Sequence, residues 1–530
     1  MNEEKIISKQ DGKTCIPKRG LVATGATIDA DVLNWQYEGT GTTEDPYIVE
    51  WITNDSGNPL FWKSWYKWLI ALSVASTTLC VSFCSSAYSG GVEGIQKDLN
   101  ASHEVATVGL SLFVLGFGIG PLIWAPLSEM YGRRVIFFMT FLALTCFNAG
   151  TAAAQNIETV IVLRFLGGTF GASPFTNAGG VIADIFNTRD RGFAMSIFAA
   201  APFMGPVIGP LVGGFLGETE GWRWIQGVMA IFSGVVWIFV SLAVPETYCP
   251  VLLRRRAAEL SELTGNVYVS KLDAGKEPVT LKEALYTNLS RPWILLFQEP
   301  IVLLLSFYMA VIYGTLYMLF GAYPIVYHQY RGWSPGVAGL PFIGVAIGML
   351  GSVAYSIWVD NPRYLRVVDK NNGAAPPEAR LPSGLVGAVA LPVGLFVFAW
   401  TNSPSLPWAP SVIAGAPFGF AMVLVFLSIM NYLVDSYTIY AASVLAANSV
   451  FRAVFGAVFP LFTRQMYSGL GIHWASTIPA FLALICLPFP FLFYRFGERI
   501  RRKCKYSAIA AASAAAVQKR SSLPDSVENA

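Results

Sequence analysis

The chain has 530 residues, of which 54% are hydrophobic and 13% charged, with 36 Lys plus Arg against 33 Asp plus Glu. Charge at about half the usual share, with a mean hydropathy of +0.51, argues against a water-soluble globule. The near-balanced charge gives no basic surface for nucleic acid, and three histidines without a Cys/His cluster give no support for a metal site.

Residues 1–62 are polar, hold no apolar run and predict a mobile cytoplasmic tail with no cleavable signal peptide. The end of this segment, Asp45-Pro46-Tyr47 through Asn58-Pro59-Leu60-Phe61-Trp62 to Lys67-Trp68, has the aromatic character of a membrane interface. Apolar runs of about twenty residues, the length a bilayer core demands, then follow at 68–90, 106–127, 135–154, 158–183, 192–217 and 223–244. After a polar interval come runs at 297–321, 336–359, 384–401, 409–433, 439–462 and 474–495. The pattern predicts an all-α membrane protein with twelve transmembrane helices. Its segments are a tail (1–62), a six-helix bundle (63–244), a cytoplasmic central loop (245–292), a second six-helix bundle (293–495) and a C-terminal tail (496–530).

Orientation follows from the Lys/Arg bias between loops. One set holds Arg133, Arg134, Arg189, Arg191, Arg254, Arg255, Arg256, Arg291, Arg363, Arg366 and Arg380, and the opposite set holds Lys97, Arg331, Arg464 and Arg223. Both termini are therefore expected in the cytoplasm. Asn100-Ala101-Ser102 falls in the first outer loop as a glycosylation acceptor at Asn100. No cysteine falls in an outer loop, so no structural disulfide is expected. Thr280-Leu281-Lys282-Glu283 reads as a capping box opening a short interfacial helix before span 7.

Within the spans, Gly205, Gly209 and Gly213 recur every four residues, forming a stripe without side chains that lets a neighbouring helix approach closely. Pro206 and Pro210 interrupt the same helix, and Gly214 follows it. Arg164 in span 4 and Arg452 in span 11 place charge inside apolar runs, which costs about 2.5–3.5 kcal/mol unless the side chain faces a wet or paired interior. A snorkelling position is the alternative for Arg164. Glu299 is the only carboxylate within the span 7 run, and it lies near the cytoplasmic interface. Candidate cavity residues are Tyr88, Phe175, Asn177, Tyr308, Tyr313, Tyr317, Asn431, Tyr432 and Asn448, because aromatics with a few amides suit bulky amphiphiles. Gly116-Phe117-Gly118-Ile119-Gly120 lies within a span, not at a strand-to-helix turn, and no phosphate-binding G-x-x-x-x-G-K-[ST] occurs.

The span 5 pattern G-P-x-x-G-P-x-x-G-G resembles the antiporter motif of major facilitator drug:proton exchangers. Ala125-Pro126-Leu127-Ser128-Glu129-Met130-Tyr131-Gly132-Arg133-Arg134 is similar to the superfamily's loop signature between spans 2 and 3, with Ala125 for the first glycine and Glu129 for the aspartate. The segments before span 1 and at Pro245-Glu246-Thr247-Tyr248-Cys249-Pro250 resemble fungal members of the twelve-span drug:proton antiporter family. The resemblance implies two six-helix bundles facing a central cavity, with Glu129, Gly132, Arg133 and Arg134 as a gating loop, in which the acid pairs with basic groups on the neighbouring segment to hold the cytoplasmic side closed, and Arg164 influencing proton transfer. It further implies proton-driven efflux of small amphiphilic compounds (drugs, toxins, polyamines or an endogenous secondary metabolite) across the plasma membrane, by a monomer with no cofactor, no catalytic residue and the proton gradient as energy source. Uptake or facilitated transport by the same fold, and a non-transporting receptor or scaffold, are the alternatives.

Overall fold

A computed structural model describes residues 28–53, 55–275, 281–371 and 375–512 of the protein. The apolar runs become helices because, in lipid, the backbone has to satisfy its own N–H and C=O groups. Span 1 is Ser64–Ala87, span 2 His103–Tyr131, span 3 Arg133–Ala152, span 5 Thr188–Thr219 and span 6 Trp222–Ala243. In the second half, span 7 is Pro300–Tyr323, span 8 starts at Phe342–Tyr355, span 9 is Leu381–Thr401 and span 10 Gly415–Ser436.

Among the described residues, ten helices are long and apolar enough to cross a membrane. Two local features reconcile that number with twelve crossings. Span 4 is divided into Ile157–Gly171 and Ser173–Ile185, with Pro174 opening the second piece, so neither piece reaches bilayer length alone. Spans 11 and 12 run together as Ala441–Cys486, broken at Gly471, whose φ of 73° and ψ of 167° only glycine adopts readily. Pro488–Lys503 continues span 12.

Six crossings pack in each half. Span 1 lies on span 5, span 2 on span 4 and span 3 on span 6, while span 7 lies on span 11 and span 8 on span 10. The halves meet where span 2 touches span 11 and span 5 touches span 8. Polar side chains inside the helices bond their own backbone, as Ser73 to Leu69 O (2.6 Å) and Thr140 to Ile136 O (2.7 Å), which removes the cost of burying a hydroxyl. Asn100 is exposed after the helix Val92–Asp98, with a φ of 50° that asparagine tolerates.

The first tail departs from the expectation of mobility. Residues 28–62 pack against the helix Cys249–Thr264 of the central loop. Strand β1 (Tyr47–Val49) pairs in parallel with β2 (Tyr268–Ser270), and Val32, Val49, Leu253, Ala257 and Leu260 form a small core beneath them. Arg256 and Asp55, both buried, are joined by a two-pronged ion pair (Nη2 to Oδ1 3.0 Å) under the Trp51 ring. A polar stretch with so little apolar surface orders because a second segment 200 residues later supplies the other half of its core. The expected helix before span 7 is present as Leu281–Gln298. Its capping residue Thr280 lies outside the described residues, as do residues 1–27 and 513–530 of the tails.

Candidate functional site

Arg164 is only 1% exposed, which rules out snorkelling. Its guanidinium donates to Cys84 O (2.9 Å), Ser85 O (3.3 Å) and Gly109 O (3.3 Å) and lies over the rings of Phe113 (4.0 Å) and Tyr88 (4.6 Å). Cys84 and Ser85 belong to the last turn of span 1, where carbonyls lack partners within the helix and the dipole favours a cation. Tyr88, counted among the cavity candidates, is fully buried and bonded to Ala106 O (2.8 Å). It lies beneath Arg164 inside the first half. Among the described residues no carboxylate pairs with Arg164.

Arg452 has different surroundings. It lines a small crevice within the second half, among spans 7, 10 and 11, with Met309, Ile312, Tyr313, Met422 and Phe426. Its guanidinium lies over the rings of Tyr313 (4.8 Å) and Phe426 (4.9 Å). From this crevice a chain of hydroxyls crosses between halves: Tyr313 donates to Tyr317 (3.4 Å), and Tyr317 meets Ser85 Oγ (2.8 Å). The backbone carbonyl of Ser85 holds Arg164, so the two intramembrane arginines lie at the ends of one connected network. Ser85 carried no signal in the sequence, since a serine in an apolar run is unremarkable without its partner.

The crevice has room for about one water molecule, far below the roughly 300–1,000 Å³ of a drug-sized site, and contacts on the face away from the termini hold the halves together. Glu218 accepts from Gly336 N (2.9 Å), Gln465 donates to Glu104 (3.2 Å), and Gly214 abuts the Pro335 carbonyl. Deeper in, Ser449 donates to Phe117 O (3.4 Å) and Gly118 faces Val450 and Ala453. The protein is closed on that face.

The glycine stripe does what its spacing predicts, and its partner is span 1. A methyl at Gly205 would lie 2.6 Å from Phe83 N, and one at Gly209 would lie 2.7 Å from Ala87 N. Gly213 meets the Ala87 carbonyl and Gly90. The stripe is thus a seam within one half, whereas Pro210 and Gly214 on another face of the helix touch Gly339 and Pro335 of the other half. Gly116 and Gly120 likewise seat span 2 on the backbone of Gly168 and Thr169 in span 4, a packing role the sequence reading did not assign them.

The loop between spans 2 and 3 is built differently from the expected pairing through Glu129. Among the described residues Glu129 forms no ion pair. Arg133 instead pairs with Asp184 at the end of span 4 (2.8 Å) and lies over the Tyr248 ring (4.8 Å). Glu246 accepts from the backbone N–H groups of Arg133 (3.0 Å), Arg134 (3.3 Å), Thr247 (3.0 Å) and Tyr248 (3.0 Å), an anion at the start of the span 3 helix. Gly132 has φ 99° and ψ 158°, and a methyl there would lie 2.7 Å from the Glu246 carboxyl carbon. Burial raises the Tyr248 phenol above its usual range and pushes the neighbouring Cys249 thiol up to about 11.

Other candidates scatter. Glu299 is buried at the start of span 7, accepting from Tyr437 OH (2.8 Å) and Tyr506 N (2.9 Å), so it anchors the C-terminal segment well away from the crevice. Asn431 is exposed on the outside of span 10, and Tyr432 is buried against Phe493 of span 12, so neither faces the crevice. Asn448 bonds Ser306 (3.2 Å) and Phe175 packs edge-on to Phe117. Asn177 and the Tyr308 hydroxyl are buried and find no hydrogen-bond partner among the described residues.

Residues 74–460 match the profile of the Major Facilitator Superfamily. Over 507 residues the chain is 61% identical to the major facilitator superfamily multidrug transporter mdrA of Aspergillus fumigatus, a match covering 96% of this chain and 83% of that one. It is 59% identical over 494 residues to the MFS-type efflux pump MFS2 of Trichophyton rubrum, with 93% and 83% covered. Among solved structures, the fold resembles that of the proton:xylose symporter XylE with a TM-score of 0.58 at 16% identity, over 82% of this chain and 96% of that one.

Proposed function

The chain belongs to the Major Facilitator Superfamily, and from that premise we propose that it is a secondary active transporter, not an enzyme, exporting small amphiphilic compounds in exchange for protons. The observation that carries this reading is the crevice among spans 7, 10 and 11, walled by aromatic and Met side chains with Arg452 at its edge, from which Tyr313 and Tyr317 reach Ser85 of the other half. Similarity to relatives named as a multidrug transporter and an efflux pump supports the outward direction. Each half is held together by its own seams, and on the face away from the termini the halves meet through Glu218–Gly336, Gln465–Glu104 and the close approach of Gly214 to Pro335. That division suits a rocking exchange between two openings.

The proton path in this proposal is the hydroxyl chain Tyr313–Tyr317–Ser85, since among the described residues lining the crevice there is no carboxylate. Gly132, Arg133 and Arg134 govern closure at the terminal face through Asp184 and Glu246, with Glu129 in the same loop but outside these contacts. The Lys/Arg bias supports cytoplasmic termini, and the protein works as a monomer in the plasma membrane, with Asn100 open to glycosylation outside.

In proteoliposomes a transmembrane pH gradient should drive efflux of a fluorescent amphiphile without nucleotide, and Tyr317→Phe should uncouple it. Flux unchanged when the gradient is collapsed would point to a uniporter. No flux of any compound in a broad panel would favour a receptor or scaffold.

A further inference from the structure

The two intramembrane arginines are satisfied unequally. Arg164 has three backbone carbonyls on its fork. Among the described residues, nothing accepts a hydrogen bond from Arg452, and no carboxylate pairs with it. It has two aromatic faces and the open side of the crevice. A guanidinium carries five donors in a planar fork and stays charged. Ring faces stabilise the charge without filling any donor. The one acid near span 7, Glu299, is taken up by Tyr437 and Tyr506 far from this point.

From this we propose that Arg452 is a carboxylate-binding subsite and that the cargo is an amphiphilic organic acid carried as its anion. The proposal rests on the export reading for its direction, but not for the binding itself. The two oxygens of a carboxylate match the fork, the geometry that makes Arg–carboxylate pairs strong. The remaining lining, Met309, Ile312, Tyr313, Met422 and Phe426, offers ring faces and adaptable thioethers to a flat apolar body once the crevice widens as the halves rock. A neutral amphiphile fills at most one of the Arg452 donors and brings no opposite charge to it. A cationic one adds repulsion. The site therefore selects by charge at one end and by apolar area at the other.

The test uses purified full-length protein and two probes of nearly equal shape, 2-naphthoate and its neutral amide 2-naphthamide. Equilibrium binding at neutral pH should favour the acid by tenfold or more. Arg452→Gln should remove that preference while sparing the amide, and Arg452→Lys should retain part of it. Unchanged amide binding shows that the variants keep the crevice intact. Equal affinity of the wild-type protein for acid and amide, no detectable binding of the acid, or a parallel loss of both probes in Arg452→Gln would each overturn the subsite. Efflux of 2-naphthoate from proteoliposomes is a separate arm. Arg452-dependent binding without transport would leave the subsite standing and sink the export reading instead.

Discussion

Adding one methyl group at Gly213 is the sharpest test of how the first half is held together. The new Cβ would fall well inside contact distance of the Ala87 carbonyl oxygen and 3.0 Å from its carbon, with the Ala87 Cα at 3.2 Å. All three atoms are backbone, so no rotamer change relieves the clash, and the two helices have to part by roughly 1 Å. Overpacking of this kind costs about 1–3 kcal/mol. At about 2–4 °C per kcal/mol for a unit the size of one half, Gly213→Ala should lower the melting temperature in detergent by roughly 2–12 °C. Gly209→Ala should cost less, because Ser86 Oγ can rotate away, leaving Ala87 N at 2.7 Å and Ser86 Cβ at 3.0 Å to resist. Gly227→Ala in span 6 is the control: its nearest neighbour would be a Trp224 ring atom at 3.9 Å, and alanine is the better helix former, so it should be neutral or mildly stabilising. The strain at Gly213 falls within two or three residues of the carbonyls that hold Arg164, so transport should fall with stability. Fluorescence-detected thermal unfolding of the three variants decides the matter. If Gly213→Ala melts with the Gly227→Ala control, the seam is not close-packed and the reasoning fails.

Arg164→Ala leaves the buried carbonyls of Cys84 and Ser85 at the end of span 1 without their donor, at about 1–3 kcal/mol each, so the thermal melt should drop and Arg164→Lys should recover only part of it; wild-type stability in the alanine variant would return this residue to a purely functional role. Gly132→Ala puts a side chain in a backbone region that is nearly glycine-only, at a cost of about 1–3 kcal/mol, and pushes Glu246 off four amides, so yield and transport should fall more than for Glu129→Ala, as membrane expression and flux normalised to protein would show. Asp55→Ala takes the carboxylate from the buried Arg256, and breaking a buried pair costs about 3–5 kcal/mol; limited proteolysis should then cut within residues 28–62 while the helical bundle keeps its melting temperature, and unaltered resistance to protease would show that the segment is held by other means.

Much of this architecture is determined by composition and spacing alone. Lipid cannot satisfy a peptide group, so an apolar run of bilayer length is a helix whatever surrounds it, and twelve such runs settle the span count. Glycine every four residues likewise foretells a close helix seam, since the stripe is a property of one helix. The partner of that seam was not legible: nothing in Gly205, Gly209 and Gly213 says that they meet Ser82–Ala87 and not the opposite half.

The same limit explains where the site readings parted from the structure. Glu129 and Arg133 are near in sequence and invite pairing, yet Arg133 reaches Asp184, 51 residues away, because the helix end that carries Asp184 packs against the loop. Asn431 has the residue type of a cavity lining and the helix phase of an outward face, and only the rotation of span 10 in the bundle decides between them. Arg164 and Arg452 are alike as letters in apolar runs. Tertiary structure makes one a staple on the end of span 1 and leaves the other open to the crevice, because a buried charge is defined by the acceptors that the fold brings to it. The polar segment 28–62 shows the converse: its order depends on apolar side chains from Cys249–Thr264, and no local pattern records a core that is shared between two distant stretches of chain.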